Sequence, residues 1–156
     1  MKRVICILLI LCLVPVFSVA ESFGHIIDLY NGMAENLGIQ KLPEEYTTEV
    51  AEEGNEKKIY VVSDTIRVIF DTKSNDVFSF SAACLSSDSY IDFIPVCLSG
   101  SFALNPDDFS SIVTGMILQF YSVRSGKESE HGNATNCVYD VLGLGNDRIG
   151  FVIVLK

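Results

Sequence analysis

The chain has 156 residues, with 20 Asp and Glu against 11 Lys and Arg, two His, and a formal net charge of −9. That balance argues against nucleic acid and anionic membrane surfaces as partners, because both are held through basic patches. No Trp is present, and five Cys are spread through the chain.

Lys2 and Arg3 precede an apolar run from Val4 to Val14, Pro15 ends the run, and Ser18-Val19-Ala20 supplies small residues. This pattern predicts a secretory signal over residues 1–20, cleaved after Ala20. The run is too short to span a bilayer comfortably, which takes roughly 20 apolar residues. The expectation is therefore an exported domain over residues 21–156, secreted or held in the cell envelope, with no membrane span in the mature chain. All the acidic residues fall in that part, against nine Lys and Arg, for a formal charge of about −11. Cys84, Cys97 and Cys137 remain after cleavage. Three cysteines permit at most one internal bridge, so a disulfide-rich scaffold is excluded. Their apolar neighbours favour buried thiols.

Ser22 to Gly38 predicts a first helix, with Phe23, Ile26, Ile27, Tyr30, Met33, Ala34 and Leu37 on one face. Gly38 is placed to end it in a left-handed conformation, and Ile39 to fold back on the last turn. From Tyr46 to Leu85 the apolar period changes from 3.6 to 2. Tyr46–Val50, Lys58–Val62, Ile66–Asp71 and Val77–Cys84 predict a four-stranded antiparallel meander. Its turns fall at Gly54-Asn55, Ser63-Asp64-Thr65 and Thr72 to Asp76. In the last strand Phe78, Phe80, Ala82 and Cys84 would share one face, opposite Ser79 and Ser81.

Ser86 to Leu104 is ambiguous between helix and strand. Tyr90, Phe93, Ile94, Cys97 and Leu98 favour a helix, short or kinked at Pro95. Asn105 to Tyr121 is the stretch the rest is organised around. Asn105 suits an N-cap, Pro106 the first helical position, and Asp107 and Asp108 the first turn. Phe109, Ile112, Val113, Met116, Ile117, Phe120 and Tyr121 then form a stripe expected to cross the sheet face carrying Phe78 and Phe80. Arg124 to Asn136 predicts a polar loop containing the sequon Asn133-Ala134-Thr135. Cys137–Leu144 and Ile149–Leu155 predict a hairpin about Gly145-Asn146-Asp147, with Phe151–Leu155 central and buried on both faces.

The predicted fold is α+β, an antiparallel sheet of about six strands with two or three helices packed on one face. Two helix-then-strands units follow one another, without a residue-level repeat.

Chemistry-bearing residues are sparse. His25 and His131 are the available neutral-pH bases, and no nucleophile elbow, HExxH or phosphate-cradling glycine loop accompanies them. Ser99-Gly100-Ser101 suggests a break between helices rather than a nucleophile. Glu44, Glu45, Glu49, Glu52, Glu53 and Glu56 match no calcium loop. The run from Asp71 to Asp76 carries Lys73 and is better explained as a turn, and Asp107 and Asp108 are explained by capping. No catalytic, metal or cofactor-binding residue emerges. The expectation is a non-catalytic exported module that binds a protein, a cell-surface polymer or a small ligand, with a small secreted hydrolase as the alternative.

Overall fold

The computed structural model describes residues 22–51, 54–86 and 89–156; the expected leader over 1–20 lies outside them. Helix α1 (Phe23–Leu37) precedes strands β1 (Thr47–Val50), β2 (Asn55–Ser63), β3 (Ile66–Lys73) and β4 (Asp76–Cys84). Helices α2 (Tyr90–Leu104) and α3 (Phe109–Arg124) follow, then β5 (Ser129–Asn133), β6 (Cys137–Gly145) and β7 (Arg148–Leu155). The architecture is α+β. The strands form one antiparallel seven-stranded sheet in the order β1-β2-β3-β4-β7-β6-β5, slightly more than the six expected. The addition is β5, which pairs with β6 inside the segment expected to be a loop.

Local chemistry sets the element ends. Gly38 adopts φ 69° after α1, its N–H bonds the Glu35 carbonyl, and Ile39 N–H bonds that of Ala34. That left-handed stop is the one its sequence predicts. Two tight reversals hold both central residues at positive φ: Ser74 and Asn75 at 52° and 72°, Asn146 and Asp147 at 50° and 58°. Such turns match the right-handed twist of a hairpin, and Asn and Asp tolerate them best.

The sheet buries one face. Tyr60, Val68, Phe70, Phe80, Ala82, Phe151, Ile153, Tyr139 and Val141 point into the core with the helices. A file of rings runs through it: Tyr60 to Phe70 at 6.0 Å, Phe70 to Phe80 at 5.3 Å, Phe80 to Phe151 at 6.3 Å, Phe151 to Phe120 at 6.2 Å. On the other face, Ile59, Ile69, Ser81, Val152 and Asp140 stand in one cross-strand row, only partly buried. The expectation that β7 is buried on both faces therefore fails at Val152 and Val154, which are half-buried on the uncovered side.

Three further expectations are corrected. In β4, Asp71 pairs with Ser79 while Thr72 pairs with Val77, leaving Phe78 as the extra residue of a bulge. The bulge reverses the alternation, so Val77 joins Phe80 on the core face and Phe78 leaves it. Secondly, the segment that was ambiguous is a continuous helix, α2, and it covers β4. Pro95 removes only the bond to the carbonyl of Ile91, on the exposed side of the first turn. Ser99, Gly100 and Ser101 lie inside α2, fully buried, and do not break it. A Cβ on Gly100 would stand 2.2 Å from the Phe80 ring, so the small residue is what lets helix and sheet meet. The third correction concerns α3, which starts at Phe109 and packs on β5 and β6 instead of β4. Asn105 ends α2, and Pro106 to Asp108 form the turn between the helices. Tyr121, assigned to the stripe, is 66% exposed. Gln119 and Val123 are buried there beside Met116 and Phe120.

Cys84, Cys97 and Cys137 are buried free thiols. Among the described residues no helix is long and apolar enough to cross a membrane.

Candidate ligand groove

The expected polar residues do not converge. His25 is exposed in the first turn of α1, and His131 lies on edge strand β5. His131 Nδ1 is 2.6 Å from Asp140 Oδ1 on the neighbouring strand, and its Nε2 is 3.4 Å from the Asn133 amide nitrogen. That pair lies on the open face of the sheet, and Val152 stands between it and Ser81 in the same cross-strand row. Glu44, Glu45 and Glu49 are exposed, Glu56 bonds Lys58 at 3.0 Å, and Glu52 and Glu53 lie outside the described residues. Asp71 faces Lys57 at 3.9 Å. No group of three or more His, Cys, Asp or Glu able to hold a metal ion occurs among the described residues. Ser99 Oγ and Ser101 Oγ donate back to the carbonyls of Pro95 and Cys97, at 3.0 and 2.8 Å. Helical serines commonly do this, and it leaves neither free as a nucleophile.

Asp108 does not cap its own helix through its side chain. Its carboxylate accepts the Asn136 N–H at 2.9 Å and the Asn105 amide at 3.1 Å. Those bonds, the backbone one first, hold its carboxyl below the usual carboxylate range. Asn105 also reaches Cys137 Sγ at 3.3 Å. The pair is a structural junction between α2, α3 and β6.

Charged side chains gather at one end of the sheet, around a groove of about 590 Å³ between the end of α3 and the β6–β7 hairpin. That volume lies within the range of small-ligand sites. Just beyond α3, Gly126 stands at φ 113°, a conformation that favours glycine, and the chain turns back toward β6. Gly143 N–H bonds the Glu128 carbonyl at 2.8 Å. A Cβ on Gly143 would sit 3.3 Å from that oxygen. The turn at Asn146 and Asp147 then delivers Arg148 to the rim. Its Nε and Nη2 each donate at 3.3 Å, to the Gly145 and Leu144 carbonyls, which fixes the guanidinium over the hairpin.

The inner wall is Tyr90, from the first turn of α2, with buried Val123 and Ile149 beside it. Tyr90 is only 8% exposed, and its ring meets Phe120 edge-on at 5.8 Å. The Arg124 guanidinium lies over its face at 4.7 Å, a cation–π contact that leaves the guanidinium edge free to donate. The Tyr90 hydroxyl is buried without a hydrogen-bond partner among the described residues. Burial pushes its pKa up to about 12, against the opposing influence of Arg124, so the phenol stays neutral.

Arg124, Lys127 and Arg148 thus line one groove together with Glu128 and Asp147. Lys127 is taken up by Glu130 at 2.6 Å. The other four charged groups form no ion pair among the described residues. Arg124 closes an apolar helix and Arg148 follows a turn, and they line one groove because the end of α3 lies beside the β6–β7 hairpin. Sequence reasoning missed the site because its members lie in segments assigned to a loop, a turn and an ambiguous helix. The available signal was the placing of Arg124 just before a structural stop, and of Lys127 and Arg148 just after one, in an otherwise acidic chain. Comparison with protein-family models, characterised proteins and solved structures finds no match to this chain. The groove is therefore interpreted from its own chemistry.

Proposed function

We propose that this chain is a small exported, non-catalytic binding module, secreted or held in the cell envelope, and that its ligand is a small polar molecule seated in the Arg124–Arg148 groove. One observation carries this reading: two guanidinium groups without carboxylate partners among the described residues line one groove with a neutral, buried tyrosine, in a chain of net charge −9. Acidic proteins gain solubility from their excess carboxylates, but that does not account for bringing cations together. A concave site with an apolar wall and a few convergent polar groups is the usual form of a small-ligand site. Proteins and cell-surface polymers remain the competing partners.

The test is a thermal-shift screen of the chain beginning at Glu21, using amino acids, phosphate, sugars, cell-wall fragments and Ca²⁺. A ligand at 100 times its dissociation constant adds roughly 2.7 kcal/mol of stability when it binds only the native state. Hits lost in Arg124→Ala and in Arg148→Ala support the groove. Hits unaffected by both substitutions move binding elsewhere, and no hit at all leaves a macromolecular partner.

The hydrolase alternative draws on the 2.6 Å pair of His131 and Asp140, an arrangement that orients an imidazole for proton transfer. Turnover on a hydrolase substrate panel that disappears in the His25→Ala, His131→Ala double variant would replace the binding reading with that one.

A further inference from the structure

We infer that the groove selects a zwitterion, a free α-amino acid with an apolar side chain, whose carboxylate sits against Arg124 and Arg148 and whose ammonium sits against Glu128 and Asp147. This rests on the reading of the groove as a ligand site and narrows the ligand to one class. The placing of both signs in one groove carries it. Elsewhere Lys41 pairs with Glu35 at 2.7 Å, Lys58 with Glu56 at 3.0 Å, and Lys57 with Asp71 at 3.9 Å, while Arg67 and Lys73 meet no carboxylate among the described residues. Lys127, on the rim itself, pairs with Glu130. Four groups in the groove, two of each sign, line the same space without neutralising one another. An anion alone would leave Glu128 and Asp147 unanswered and repelled by it, and a cation alone would do the same to the two arginines. A zwitterion answers both.

The details suit each end of such a molecule. Arg148 uses Nε and one Nη2 proton on backbone carbonyls, so its remaining N–H groups are available in a fixed orientation. Arg124 is held over the Tyr90 ring with its N–H groups uncommitted among the described residues, and a guanidinium can bind a carboxylate through two parallel hydrogen bonds. The phenol of Tyr90 can supply a hydrogen bond but no charge. Between the charged rims, Val123 and Ile149 offer an apolar wall for the ligand's side chain.

The experiment is calorimetric titration of the intact mature chain with the common amino acids. The best apolar binder is then compared with its decarboxylated amine and its deaminated acid; for leucine these are isopentylamine and 4-methylpentanoate. The expected result is measurable binding of the amino acid, with both analogues weaker by roughly tenfold or more, since each loses one charge-assisted contact. Arg148→Ala and Arg124→Ala should each weaken the amino acid by about that factor. Asp147→Asn and Glu128→Gln should do so while binding the deaminated acid as tightly or more tightly, since each removes a charge that repels it. Arg148→Lys, which keeps the charge and loses the fork, should fall between wild type and alanine. Unliganded melting of each variant separates a binding loss from a folding loss. If the deaminated acid binds as tightly as the amino acid, the zwitterion is wrong and the groove survives as an anion site. If no amino acid binds while phosphate or a sugar does so in an Arg148-dependent way, the zwitterion is again wrong. Ligands indifferent to all four substitutions would overturn the groove itself.

Discussion

Helices α2 and α3 are 15 and 16 residues long, adjacent in sequence and both rich in apolar side chains, yet they sit differently. Eleven residues of α2 are buried against seven of α3, so α2 is a central element and α3 a flanking one. Helix α2 lies over β4, its backbone pressed against Phe80 at Gly100. Helix α3 covers β5 and β6 and leaves Leu118 and Tyr121 in solvent. The difference teaches that amphipathic contrast marks a helix at the edge of a core. A helix covered nearly all round loses that contrast, and its sequence looks less helical for it.

The largest test of this comparison is on β4, beneath α2. Phe80 is fully buried under Gly100, while Phe78 leaves the core at the bulge. Phe80→Ala should lower stability by about 3–5 kcal/mol in urea melts. Phe78→Ala should lower it by about 1 kcal/mol or less, because a half-exposed side chain leaves little cavity. Similar losses at the two positions would mean that the alternation runs unbroken and that α2 does not sit where described.

Next in size is the effect of adding one methyl to each helix. Gly100→Ala drives a Cβ into the Phe80 ring, which is enclosed on all sides, and should destabilise by about 1–3 kcal/mol despite alanine's better helix propensity. Gly115 on α3 also lacks room, but the obstacle is a single atom: its Cβ would meet the Tyr139 hydroxyl at 2.0 Å and the ring carbon bearing it at 3.2 Å. Gly115→Ala should therefore destabilise in the same range, and Tyr139→Phe should recover most of the loss in the double variant. No such rescue is available at Gly100, where the whole ring is the obstacle. Gly32→Ala on the open face of α1 is the control, since nothing lies within 4 Å, and it should gain up to about 1 kcal/mol.

How much was legible follows the same contrast. The first helix, its Gly38 stop, the four-strand meander and the last hairpin all follow from period and turn chemistry, and the antiparallel α+β class follows from them. Phe78 was misplaced because a bulge inverts every side chain beyond it, and no residue in Val77 to Ser81 marks one. Strand β5 was hidden because SEHGN carries no apolar alternation. Its pairing is supplied by β6, and Gly132 leaves space for the Tyr139 ring, which a Cβ would meet at 2.2 Å. The groove was illegible for a related reason: its charges come from the ends of three elements, so no local pattern holds them together.

The smallest expected effect lies at the junction where α2 ends and α3 begins. Asp108 there accepts hydrogen bonds from Asn136 and Asn105, tying the start of the flanking helix to the β5–β6 turn. Its carboxyl is held below its ordinary value in the folded chain. A depressed folded pKa means that the unfolded chain takes up the proton first as pH falls. The contribution is thus fully present above the unfolded value of about 4 and is lost as pH drops through the lower folded value. The site is only partly buried, so solvent screening should limit the effect to about 1 kcal/mol. Asp108→Asn should remove about that much at pH 7. It should also flatten the stability profile below pH ~4 relative to the wild type, because asparagine has no proton to gain. Chemical melts at pH 7 and pH 3 measure both quantities. A variant that loses stability equally at the two pH values would show that Asp108 acts through the shape of the junction alone, and its carboxylate charge would then have no part in joining α3 to β6.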